Sequence, residues 1–165
     1  MNSTPNPTST FFLATIVKHL PLAEKIFFLA LVIGTVLTSM HVDSPVRQVA
    51  LVGLGITFFL LAYRPMEIPP QEDGQIGGFT ELLALSIVPK VLWMGCAVSA
   101  LGLAFYLFGN KGYKQLLIIG GSTIGGSSVL LIVFLAQGVK HLNIVTPILL
   151  RAIPLLLADF YILFR

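Results

Sequence analysis

Two places in the sequence hold residue types that could do chemistry. One is LLIIGGSTIGGSSVLL, residues 116–131, where Ser122, Thr123 and Ser127 sit among glycines inside a run of Leu, Ile and Val. The other is the C-terminal stretch LNIVTPILLRAIPLLLADFYILF, residues 142–164, which carries Arg151 and Asp159.

The glycine-serine stretch does not read as a phosphate loop. A Walker loop ends in Lys-Ser/Thr, and a dinucleotide loop places G-x-G-x-x-G between a strand and a helix. Here the glycines lie inside an apolar run, and no strand precedes them. It does not read as a serine nucleophile either. A serine needs a nearby base to become nucleophilic, and His141 lies beyond the far end of the run.

Helix packing fits the pattern. Gly121 and Gly125 form a G-x-x-x-G pair, and Ser122 with Gly126 and Thr123 with Ser127 repeat the spacing. Residues four apart share a helix face. Gly120, Gly121, Gly125, Gly126 and Ser128 complete a narrow waist from which only Ile124 projects. In lipid, small residues let helix backbones approach closely, and that contact replaces the missing hydrophobic drive. The waist predicts a helix contacted by more than one neighbour, and hence a central one. Its four glycines weaken a helix by roughly 4 kcal/mol on the aqueous scale. Close packing would offset this. A second reading has the waist partly unwound, with Ser122, Thr123, Ser127 and freed carbonyls holding an ion.

Arg151 and Asp159 are ionisable residues in a segment long enough to span a bilayer. A central Arg costs about 2.5–3.5 kcal/mol to insert, so it is expected to face the bundle or a water cavity. The two are eight residues apart, about 12 Å along a helix axis, too far for a simple direct pair. Pro147 and Pro154 free backbone carbonyls that Arg151 could bind. The functional reading is an anion or proton site at Arg151, with Asp159. The structural one is an Arg that snorkels or ties two helices together.

Other chemistry is poorly supplied. His19, His41 and His141 all fall at the ends of apolar runs, which speaks against a haem site inside a bundle. The single cysteine, Cys96, forms no internal disulfide and no metal spacing. No cofactor or metal is expected. Tyr63, Trp93, Tyr106, Tyr113 and Tyr161 fit interfacial or packing positions.

The elements that position these residues follow from composition. The 165-residue chain is 56% hydrophobic and only 10% charged, against about 25% charged in soluble domains. Its mean hydropathy is +0.92. The apolar residues come in blocks, and backbone groups in hydrocarbon must pair within their own segment. The fold class is therefore all-α, a polytopic membrane bundle. Spans are predicted at about 26–40, 49–63, 91–108, 116–136 and 142–164. The fifth carries two prolines, and its alternative is a re-entrant or interfacial helix after four spans.

Residues 1–10 are polar and uncharged and predict a disordered N-terminus. Residues 11–20 predict a short interfacial helix ended by Pro21. Residues 21–165 form the membrane domain, with a Pro- and Gly-rich surface loop at 64–80. After it, Thr80 could cap a short helix from Glu81, broken by Pro89, that lays Leu82, Leu83 and Leu85 on the membrane surface. Glu24 and Lys25 are read as interfacial.

Five loop cations against four weakly favour a cytoplasmic N-terminus. The net charge of +3 is spread over span ends, which argues against nucleic acid. In size and span count the chain is similar to small bacterial membrane proteins. That likeness is compositional, and it makes a bacterial inner membrane the expected location. The favoured function is a non-enzymatic subunit or scaffold, whose partners are lipid and other membrane helices in a homo-oligomer or larger complex. The alternative is a small transporter or channel with its site near Arg151 and the waist.

Overall fold

The computed structural model describes residues 7–42, 44–64, 82–137 and 145–165. Among the described residues the fold is all-α, with five α-helices: α1 (Pro7–Ser39), α2 (Val46–Ala62), α3 (Val88–Leu107), α4 (Tyr113–Ala136) and α5 (Thr146–Leu163). Among the described residues four segments are long and apolar enough to cross a membrane: His19–Ser39, Leu83–Leu107, Tyr113–Ala136 and Thr146–Leu163. The fifth apolar helix, α2, is shorter at 17 residues. Large apolar side chains such as Phe28, Leu29, Ile118, Ile132 and Leu157 project outward from the bundle. Such a surface suits lipid, where every backbone group is already paired within its helix.

The N-terminal expectation is corrected. Residues 7–39 form one helix that passes through Pro21, which therefore does not end a separate helix at residue 20, while residues 1–6 of the expected disordered tail lie outside the described residues. Proline removes one hydrogen bond and crowds the carbonyl four residues back. In an apolar medium, unwinding further backbone groups costs more than that single lost bond.

Pro89 behaves similarly. The proposed cap at Thr80 and start at Glu81 lie outside the described residues. From Leu83 to Ile87 the chain forms a π turn that feeds directly into α3, with Pro89 in the first turn of the α-helix. The Val88 amide donates to the Leu83 carbonyl, five residues back. The wider turn gives the ring of Pro89 room beside the preceding backbone. Leu85 is consequently buried, not laid on a surface, while Leu82 remains exposed.

The helix α3 is the most buried of the long segments, and it, not α4, is the centre of the bundle. It packs against α2, α4 and α5, while α1 packs chiefly on α2. Small residues on α3 explain the arrangement. A Cβ on Gly102 would come within 2.8 Å of a Leu117 methyl, and one on Gly95 within 3.1 Å of Ile124 and Thr123. From the other side, a Cβ on Gly120 would come within 2.7 Å of the Ser99 amide nitrogen. Gly95, Ser99 and Gly102 thus meet Leu117, Gly120 and Ile124 in one close seam. On the opposite flank a Cβ on Gly55 of α2 would approach Leu101 to 2.9 Å. Cys96 is fully buried among these contacts.

Candidate functional site

The ionisable residues of α5 sit in two separate networks. Asp159 faces inward and is only 1% exposed. The Ser99 hydroxyl of α3 donates to its Oδ2 at 2.7 Å. Its Oδ1 is buried and has no hydrogen-bond partner among the described residues. A buried polar atom without a partner costs free energy unless something else satisfies it.

Asp159 borders a groove of about 610 Å³ between α4 and α5. Gly121, Ser122, Gly125 and Gly126 of α4 line one side, and Leu156 and Phe160 line the other, with Lys114 and Phe164 toward one end. A Cβ on Gly121 would stand 3.5 Å from Asp159 Oδ2, so only the absent glycine side chain separates the groove from a carboxylate that is otherwise enclosed. At Gly125 and Gly126 a Cβ would meet nothing within 4 Å.

The waist is therefore divided. Gly120 lies inside the seam with α3, and Ser127 is buried. Gly121 faces Asp159. Gly125 and Gly126 face open space, and Ser128 is half-buried. The helix runs unbroken through all of them. The Ser122 and Thr123 hydroxyls both return to the Ile119 carbonyl of their own helix, at 3.1 and 2.7 Å. Such back-bonding keeps these hydroxyls satisfied in an apolar medium.

Arg151 lies elsewhere. Because α5 begins at Thr146, Arg151 is only its sixth residue and sits near the helix end, not at mid-span. Its Nε donates to Glu24 of α1 in an ion pair. Its Nη1 donates to the Pro147 carbonyl at 2.7 Å, and the guanidinium stands 5.9 Å from the Trp93 ring centre. The carbonyl it binds is that of Pro147 itself, one turn back. Arg151 thus ties the last helix to the first over an aromatic face of α3. It does not line the groove beside Asp159.

Two residues of these networks carry no mark in the sequence. Ser99 reads there as a small packing residue four after Gly95, and Glu24 as an interfacial acid. Both become visible only once α3 packs on α5 and α1 packs near it. Among the described residues, no three His, Cys, Asp or Glu side chains converge as metal ligands would. Comparison with protein-family models, with curated proteins and with solved structures finds no match to this chain.

Proposed function

We propose that this chain is a non-enzymatic subunit of a membrane assembly, crossing the bilayer five times and offering α4 to another helix. The carrying observation is the bare backbone at Gly125 and Gly126, where a would-be Cβ meets nothing from another part of the described residues within 4 Å. Two glycines on an uncovered helix face cost helix stability, about 1 kcal/mol each on the aqueous scale, with no packing among the described residues to offset it. Close approach of a second backbone supplies that packing. The transporter reading keeps Asp159 in the groove but loses Arg151, whose guanidinium is engaged by Glu24 and Pro147.

The test is chemical cross-linking in the membrane, followed by native mass measurement from mild detergent. The expected result is an assembly heavier than the 17.9 kDa chain. A lone monomer that moves solute across vesicles would overturn the proposal.

A further inference from the structure

The subunit reading leaves open what occupies the groove, and the groove itself supplies the chemistry. On α4 it runs from Lys114 to Gly126, thirteen residues or about 18 Å of helix. That is the footprint of a helix laid alongside, not of an ion. Its floor at Gly125 and Gly126 is bare backbone.

A second, independent feature points to a polar occupant. Asp159 borders the groove, is almost wholly buried, and holds one oxygen with no partner among the described residues. The carboxylate's terminal torsion is broad and two-fold, so either oxygen can turn toward an incoming donor. The gap left at Gly121 opens onto that carboxylate. An acyl chain would suit the apolar walls but would leave the oxygen unsatisfied.

The same groove also carries a donor. Ser122 lines it, is exposed, and holds its own helix carbonyl at 3.1 Å, a long contact for a hydroxyl. Acceptor, donor and G-x-x-x-G spacing therefore lie on one surface, which makes that surface self-complementary. A two-fold contact between identical surfaces forms each interaction twice.

Resting on the subunit reading, we propose that the occupant is a second copy of this chain. The two α4 helices cross at Gly121 and Gly125, and Ser122 of the second copy donates to the Asp159 carboxylate past Gly121. The contact is reciprocal, so both orphaned carboxylate oxygens are satisfied at once.

The experiment measures energy transfer between two differently tagged full-length chains in lipid vesicles over a range of protein-to-lipid ratios. Gly126→Leu enters open space in the lone chain, so it leaves the fold intact, which circular dichroism checks. It is expected to raise the ratio needed for half-association at least tenfold. Ser122→Ala removes the donor. Interhelical hydrogen bonds in membranes are worth a factor of about three each, so two per dimer predict a weakening of roughly eightfold. Gly121→Ala makes only ordinary contact with Asp159 but covers its carboxylate, and the double variant with Ser122→Ala should be no weaker than the weaker single variant. Additive losses in that pair would overturn the serine–aspartate contact. Self-association that survives Gly126→Leu would overturn the docking surface and leave the subunit reading standing. So would cross-linking to a different polypeptide only. A chain that neither self-associates nor cross-links to anything removes both readings.

Discussion

Ser99 and Asp159, sixty residues apart in sequence, are joined by a 2.7 Å hydrogen bond from the serine hydroxyl to carboxylate Oδ2. The bond crosses from the central helix to the last one and is buried on both sides. Close approach of α4 at Gly120, against the Ser99 backbone, fixes the serine in place. The acid is thus held by the seam that holds the bundle.

Removing the donor should therefore loosen α5. Ser99→Ala leaves the carboxylate buried with neither oxygen satisfied, a loss of about 1 kcal/mol by the averages for membrane hydrogen bonds. Asp159→Asn keeps an acceptor for Ser99 and should cost less. Unfolding by steric trapping in bicelles orders the two variants. If Asp159→Asn is the more damaging, the serine bond is not what anchors the helix.

The divided waist predicts opposite outcomes for chemically identical changes. Gly120→Ala would put a methyl within 2.7 Å of the Ser99 amide nitrogen and 2.8 Å of its Cα. Backbone cannot step aside as a side chain tip can, so α3 and α4 must separate, at about 1–3 kcal/mol. Gly126→Ala meets nothing within 4 Å and gains helix propensity of up to about 1 kcal/mol in the lone chain. Stability measured on monomeric protein in detergent should fall for the first and hold or rise for the second. Equal losses at both positions would place the seam elsewhere.

The Arg151–Glu24 pair is predicted to be weak. Arg151 is 39% exposed, and a pair reached by solvent or headgroups is worth about 0–1 kcal/mol. A double-mutant cycle with Arg151→Leu and Glu24→Leu should give a coupling within that range. Arg151→Leu alone should cost more than Glu24→Leu, since it strands the more buried Glu24 carboxylate, 12% exposed, and gives up the cation–π contact with Trp93. A coupling of several kcal/mol would show that the pair is dry and structural.

Much of the architecture could be read in the sequence because lipid permits so few alternatives. Apolar blocks must be helices, and four of the five predicted spans reappear as long apolar helices with α2 as a shorter fifth. The prolines misled for the same reason. Pro21 and Pro89 end helices in water, where freed backbone groups find solvent, but here the helix runs through one and widens into a π turn before the other. The waist misled differently. Small residues around α4 record that backbones can approach from many sides, not which of those sides this chain fills. Burial of α3 follows from its place in the packing order, and no residue spacing encodes that. The link between Ser99 and Asp159 was invisible because nothing local relates a serine on one helix to an acid two helices later.

Two helix ends close with the same geometry but different residues, which gives a final prediction. After α1 the Val42 amide donates to the Leu37 carbonyl and the His41 amide to Thr38, at 3.0 and 3.1 Å. After α3 the Asn110 amide donates to Phe105 and the Gly109 amide to Tyr106, again at 3.0 and 3.1 Å. Both are Schellman closures, which need a left-handed residue at the turn. Gly109 adopts φ 68° without steric cost, whereas His41 holds φ 60° with a Cβ in place. His41→Gly should relieve that strain and stabilise the chain by about 0.5–1 kcal/mol net of the added unfolded-state freedom. Gly109→Ala, where a Cβ would touch nothing within 4 Å, should destabilise by about 1 kcal/mol through conformation alone. Thermal unfolding of the two variants in one detergent decides the matter. A loss of stability in His41→Gly would mean that the histidine side chain contributes more at that membrane edge than its backbone strain takes away.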